Sequence, residues 1–306
     1  MRNLPLLLAL ATTLATPAPA EVPRVVTDIA PVHSLVAQVM GDLGSPGLIV
    51  PPGTSFHDAG LRPSDAAALA GADLVIWTGT AAVPFLAGPV ATLAGQAAVV
   101  ALLETPGWEP LPPREGEGFE ADHDHDHDHG AGGIDPHAWL DPAVAAAWAD
   151  TIAEALAGAD PEHGAAYRAH AQALRADLAR TQEEIAARLA PLAGRPWLAA
   201  HDATQYFERA FAIPAAGAIA LPDAQAPGPA RLAALRARIA DGGIACILAE
   251  PDTPPRTLAL LAGAEDGSDG PRVAVADPDG LGLEPGPGLY GALLTGIAAA
   301  LEECLG

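Results

Sequence analysis

Four histidines alternate with aspartates between Asp122 and His129, namely His123, His125, His127 and His129. Neutral imidazole is the commonest protein ligand for divalent transition metals, so a tract of this composition binds metal ions. It does so with little selectivity, because nothing in so polar a run fixes the rings in one geometry. Storage, sensing, carriage and catalysis all stay open on this feature alone.

The six other histidines narrow the choice. His57 closes the stretch Pro51-Pro52-Gly53-Thr54-Ser55-Phe56-His57, directly after an aliphatic run ending at Val50. His201 follows Trp197 to Ala200, and Asp277 follows Val273 to Ala276. In open parallel sheets ligands bind beyond the carboxyl ends of strands, which is where these three residues fall. His137 lies between Asp135-Pro136 and Trp139, just ahead of Asp141-Pro142. One loop histidine is ordinarily a solvated group, but three beside a metal-collecting tract point to a shared ion. Three imidazoles and one oxygen form a tetrahedral shell that Zn2+ accepts, with Zn–N near about 2.0 Å. Asp58, Asp135 and Asp202 are candidates to receive the far ring N–H and fix the tautomer, or else to cap turns. His163 and His170 read as exposed or stripe-edge helix positions, and His33 as a helix-start residue.

The elements that must position these groups alternate. Val25 to Ile29, Leu48 to Val50, Leu74 to Trp77 and Val99 to Leu102 are strand-like in the first half. Trp197 to Ala200, Ile213 to Ile219, Ile244 to Ala249 and Val273 to Ala276 follow in the second, with Ala-rich helical stretches between them. Such alternation predicts parallel sheets. Asp141-Pro142 and Asp160-Pro161 both read as an N-cap with Pro at the first helical position. From Pro161 the stripe Tyr167, Leu174, Leu178, Ile185, Leu189 predicts one helix to about Ala190. The predicted fold is α/β, two lobes with parallel sheets flanked by helices and joined by one long backbone helix. The lobes span 21–158 and 194–306, the helix 159–193, and a mobile insertion 110–133 carries the His-Asp repeat.

Compartment and charge restrict the partners. Arg2, the apolar stretch Leu4 to Leu14 and Ala18-Pro19-Ala20 have the order of a secretory signal peptide over 1–20, which predicts a periplasmic protein. That stretch is too short to span a bilayer, and no later apolar run of about 20 residues is present, so no membrane insertion is expected. A formal charge of −23 argues against nucleic acid and anionic lipid, and suits a cation or simply solubility. All basic residues are arginine, which excludes lysine nucleophiles and Schiff bases. Cys246 and Cys304 are the two cysteines; in an oxidising compartment they read as a bridge rather than a thiolate site, since neither has a cysteine or histidine at ligand spacing.

Five segments carry a resemblance across the mature chain: PPGTSFHDAGLRPSD (Pro51 to Asp65), DPHAWLDP (Asp135 to Pro142), AHDATQYFE (Ala200 to Glu208), AEPD (Ala249 to Asp252) and ADPDGLGL (Ala276 to Leu283). Together with the His-Asp repeat, they resemble the zinc-specific solute-binding proteins of bacterial ABC-type zinc uptake systems, in the cluster A-I metal-binding family. The resemblance implies His57, His137 and His201 as zinc ligands, with water or Asp277 completing the shell. It also implies a Cys246–Cys304 disulfide, Zn2+ as the transported ligand, and a membrane permease as partner, with periplasmic zinc chaperones as further partners of a monomeric carrier. An imidazole at His201, where manganese-binding relatives carry a carboxylate, favours zinc. Phe56 stands where some members have a ligating glutamate, and Asp277-Pro278-Asp279-Gly280 leaves Asp277 and Asp279 as alternatives. The expected mechanism is a zinc ion bridging the interlobe cleft, with the long helix limiting the hinge so that loops move most. A secreted zinc hydrolase is the rival from another class; no His-Glu-x-x-His pattern or evident general base supports it. Other rivals are a zinc buffer without a transporter and a carrier for Mn2+ or Fe2+.

Overall fold

The computed structural model describes residues 22–114, 133–220, 227–263 and 270–306. The stretch read as a signal peptide and the repeat His123, His125, His127 and His129 lie outside the described residues. The first lobe holds strands β1 (Val25–Thr27), β2 (Gly47–Leu48), β3 (Leu74–Trp77) and β4 (Ala98–Ala101), with helices α1 (Ala30–Met40), α2 (Pro63–Gly71) and α3 (Pro84–Leu93). Helices α4 (Pro142–Ala159) and α5 (Gly164–Leu189) lead to the second lobe. There β5 (Trp197–His201), β6 (Gly217–Ala220), β7 (Cys246–Ala249) and β8 (Arg272–Val275) alternate with α6 (Gln205–Phe211), α7 (Pro229–Ala240), α8 (Pro255–Leu261) and the final α9 (Leu289–Leu305).

Both sheets are wholly parallel, in the orders β2-β1-β3-β4 and β6-β5-β7-β8. The two lobes therefore repeat one topology, with a reversal of strand order between β1 and β3 and between β5 and β7. Pairing of Val25 with Leu74 and of Trp197 with Cys246 brings the carboxyl ends of each central pair level. The interior strands β3, β5 and β7 are buried throughout, as strands covered on both faces must be.

The long helix begins later than its sequence suggests. Asp160 closes α4 rather than opening α5, and its carboxylate accepts hydrogen bonds from His163 N, His163 Nδ1 and Tyr167 Oη. Those bonds hold Pro161 in a turn, and α5 starts at Gly164. The strand expected from Ile213 is also shorter, Gly217–Ala220, although Ile213 is buried. The Asp141 cap is present, its side chain accepting from Ala143 N. Tyr167, Leu174, Leu178, Ile185 and Leu189 form the buried stripe of α5. One apolar core runs through both lobes and includes residues of α1, α4, α5 and α9. A smaller cluster of Leu198, Ile219, Leu235, Ile244, Ile247 and Leu261 lies under α7 and α8. Cys246 and Cys304 are joined by a disulfide that ties β7 to α9 across 58 residues of chain.

Candidate metal centre

Three distant stretches of chain bring His57, His137 and His201 together, each presenting one ring nitrogen, with all three nitrogens within 4.8 Å of one another. His201 ends β5, so its ring leaves the sheet at the strand-order reversal of the second lobe. His137 precedes the single turn Ala138–Leu140 that feeds α4. His57 sits in the loop between β2 and α2, its backbone N–H donating to Ser55 Oγ. His137 is buried, His201 is 5% exposed, and His57 is half-buried.

Two of the rings are oriented by carboxylates. Asp135 accepts from His137 Nδ1 at 2.9 Å, and Glu250 accepts from His201 Nδ1 at 2.8 Å through either oxygen. Each bond leaves Nε2 to face the centre, and the two Nε2 atoms are 3.4 Å apart. A tetrahedron of Zn–N bonds of about 2.0–2.1 Å has edges of about 3.3–3.4 Å, so this spacing is that of two ligands on one zinc ion. His57 Nε2 is buried without a hydrogen-bond partner.

The electrostatics divide the three. Burial, reinforced by His137 and His201, lowers His57 to about 3, so it is neutral and ready to ligate. Burial also pushes down on His201, but the Glu250 carboxylate outweighs it, with help from Asp279 and Asp252, and raises the ring to about 9. A cavity of about 410 Å3 opens beside the centre, with Asp58, Glu250, Asp252 and Asp279 in its wall.

The sequence candidates fare differently. Asp135 does orient His137, but Asp202 pairs with Arg114 instead of His201, and Asp58 makes no hydrogen bond to His57 among the described residues. Glu250 takes the part expected of Asp202. It was visible as the residue directly after β7, found by the strand-end rule that picked out His201; a search restricted to carboxylates beside histidines misses it. Both Asp277 oxygens accept backbone N–H groups, from Leu281 and Gly282, which shapes the turn. Asp279 is 7% exposed, lines the cavity and leaves Oδ1 unpartnered. Burial pushes its carboxyl up, against the pull of His201 and His137. Phe56 is buried against His57, His137 and Trp139 and supplies packing. His33 lies outside the cluster, its Nε2 donating to the Pro46 carbonyl.

The family model described as zinc-uptake complex component A, periplasmic, matches residues 25–304. The high-affinity zinc uptake system protein ZnuA of Paracoccus denitrificans (strain Pd 1222) is 41% identical over 313 residues, covering 96% of this chain and 95% of that protein. Its namesake from Brucella abortus (strain 2308) is 38% identical over 308 residues, covering 92% and 91%. Among solved structures, the periplasmic zinc binding protein TroA from Treponema pallidum superposes with a TM-score of 0.78 at 21% identity, covering 92% of this chain and 99% of that one. A crystal structure of ZnuA gives 0.76 at 22% identity, covering 92% and 99%. Among the described residues no helix is long and apolar enough to cross a membrane.

Proposed function

The chain belongs to the family of periplasmic zinc-uptake complex A components, and from that premise we propose that His57, His137 and His201 grip the Zn2+ that an ABC-type uptake system imports. The single observation that carries this reading is the convergence of three imidazole nitrogens from both lobes, two of them at the edge length of a zinc tetrahedron. Nitrogen donors favour zinc over the oxygen-preferring Mn2+. Asp279, which lines the cavity and has an unpartnered Oδ1, is our choice of the two aspartates for the fourth ligand, while Asp277 shapes the turn.

The carrier works by exchanging a proton for a metal ion. In the zinc-free protein His201 is held as an imidazolium by Glu250; arriving zinc displaces the Nε2 proton, and the Nδ1–H bond to Glu250 persists as the outer support of the ligand. Ligands from both lobes then share one ion, which orders the interlobe face that a membrane permease reads before accepting the zinc. Binding and handover, not turnover, are the chemistry of the centre. The His-Asp repeat gathers or buffers zinc outside it.

Chelator competition with elemental analysis tests the division of labour. The unsubstituted chain is expected to hold one tight zinc plus weaker ions. Deleting Asp122 to His129 removes the weaker ions and leaves the tight one; loss of the tight ion on that deletion would refute the reading.

A further inference from the structure

Arg114, in the first lobe's chain just ahead of the His-Asp repeat, reaches into the second lobe. Its Nε donates to Asp202 Oδ1 at 2.8 Å, Nη1 to Glu208 Oε2 at 2.7 Å and Nη2 to Glu208 Oε1 at 2.8 Å, with a further Nη2 contact to Asp202. The guanidinium side chain is 16% exposed, and the carboxylates it meets are 2% and 4% exposed. Glu208 is itself held, accepting from Thr204 Oγ1 and Ala215 N. The same short helix holds the backbone ahead of the repeat and the Asp135 side chain after it. Tyr206 Oη accepts from Leu111 N at 2.8 Å, and in the amide orientation that satisfies both its nitrogen and its oxygen Gln205 donates to Pro112 O at 3.2 Å and Asp135 Oδ2 at 2.8 Å. Asp135 N in turn donates to Leu111 O.

These bonds form a continuous path. Asp202 is the chain neighbour of His201, and Asp135 is the carboxylate that orients His137, so the path joins the backbone beside one ring to the support of the other, from opposite lobes. We propose that Arg114 is a positioning residue for the zinc centre, a cationic latch that fixes the His137 side of the cleft against the His201 side. The proposal rests on the reading of the three histidines as zinc ligands. A guanidinium suits the task because its planar fork engages two carboxylates at once, which a lysine ammonium cannot reproduce. Without it, Asp202 and Glu208 remain as buried like charges with no cation between them, and the local packing must open to hydrate them.

The test pairs zinc affinity, from chelator competition, with the visible spectrum of Co2+ bound in place of zinc, which reports coordination geometry directly. Arg114→Gln is expected to weaken zinc by about 10–100-fold, the range for loss of an outer support, and to change the Co2+ bands. Arg114→Lys is expected to fall between the two. Wild-type affinity and spectrum in Arg114→Gln overturn the proposal, even where thermal stability drops, because stability alone is a structural readout. Should the glutamine chain fail to fold, Arg114→Lys decides on the same two measurements: partial loss supports the latch and wild-type behaviour overturns it. Absence of a His137-dependent tight ion in the unsubstituted chain would overturn the ligand reading itself, and the latch with it.

Discussion

At the reversal of strand order in the second lobe, between β5 and β7, stand His201 and Glu250, opening onto the cleft. The matching point of the first lobe, between β1 and β3, holds Asp28 and Thr78, both fully buried, with Thr78 N donating to Asp28 Oδ2 at 2.7 Å. One topology thus serves two ends. The second lobe places His201 on a strand end, where backbone pairing and a carboxylate fix it. The first lobe seals its own crevice and presents its histidines from loops, His57 without a ring hydrogen bond among the described residues and His137 through Asp135. A parallel sheet supplies the place for a site, and the residues at the strand ends decide whether it is used.

The sharpest way to break this contrast is to remove the proposed ligands. His201→Ala and His137→Ala should each cost roughly 2–3 orders of magnitude in zinc affinity, about a quarter share of the ~10–16 kcal/mol typical of a four-ligand zinc site. Chelator competition measures it; a fall of less than tenfold for either would remove that ring from the centre. One step outward, Glu250→Gln and Asp135→Asn should weaken zinc by about 10–100-fold while leaving one tight ion per chain. If Glu250→Gln costs no more than twofold, the second lobe's strand-end pair is not the rigid partner described above.

Proton release gives a subtler measure. His201 is raised above the usual imidazole range, so its proton contributes stability to the zinc-free fold that is fully present below about 6.5 and is lost as pH rises through about 9. Zinc must displace that proton. Affinity should therefore climb about tenfold per pH unit between pH 7 and 8, and calorimetry in buffers of different ionisation enthalpy should count one proton leaving for each zinc bound. His57, lowered to about 3, adds nothing in that range. Zero proton release at pH 7.5 would show that Glu250 does not hold His201 charged.

Much of this centre was legible in the sequence, for a definable reason. Strand-end placement is a local property, so the aliphatic run directly before His201 marked it as a proposed ligand, while His57 and His137 stood out as loop histidines beside turn residues and carboxylates. The two lobes and long helix followed from alternation and an apolar stripe. What failed were questions of reach between segments far apart in the chain. Glu250 meets His201 only because β5 and β7 pair, and Arg114 takes Asp202 only because the first lobe's chain crosses onto α6. Asp160 misled because an aspartate followed by proline serves a turn as readily as a helix start, and here His163 and Tyr167 claimed its carboxylate. Asp277 shows the same ambiguity, since its strand-end position suits a ligand and a turn equally well, and its oxygens accept from Leu281 N and Gly282 N.

The smallest effect on zinc should come from the first lobe's sealed crevice, where stability is what changes. Burial pushes Asp28 up to about 6, against the bonds from Thr78 and Ile29, and leaves Asp28 Oδ1 and Thr78 Oγ1 buried without hydrogen-bond partners. A raised folded pKa means that the favourable contribution of the protonated acid is fully present below about 4 and is lost as pH rises through about 6. Asparagine keeps the acceptor for Thr78 N, adds an N–H donor where Thr78 Oγ1 lacks one, and never ionises. In urea unfolding of the zinc-free chains, Asp28→Asn should accordingly gain stability relative to the parent as pH rises from 4.5 to 7, with a difference of up to about 3 kcal/mol at neutral pH. Its zinc affinity should stay within about twofold of the parent, since an uncharged replacement leaves the loop ligands where they were. A large loss of affinity in this variant would mean that the two crevices are coupled, and that the first lobe's buried acid shapes the metal centre from within its own sheet.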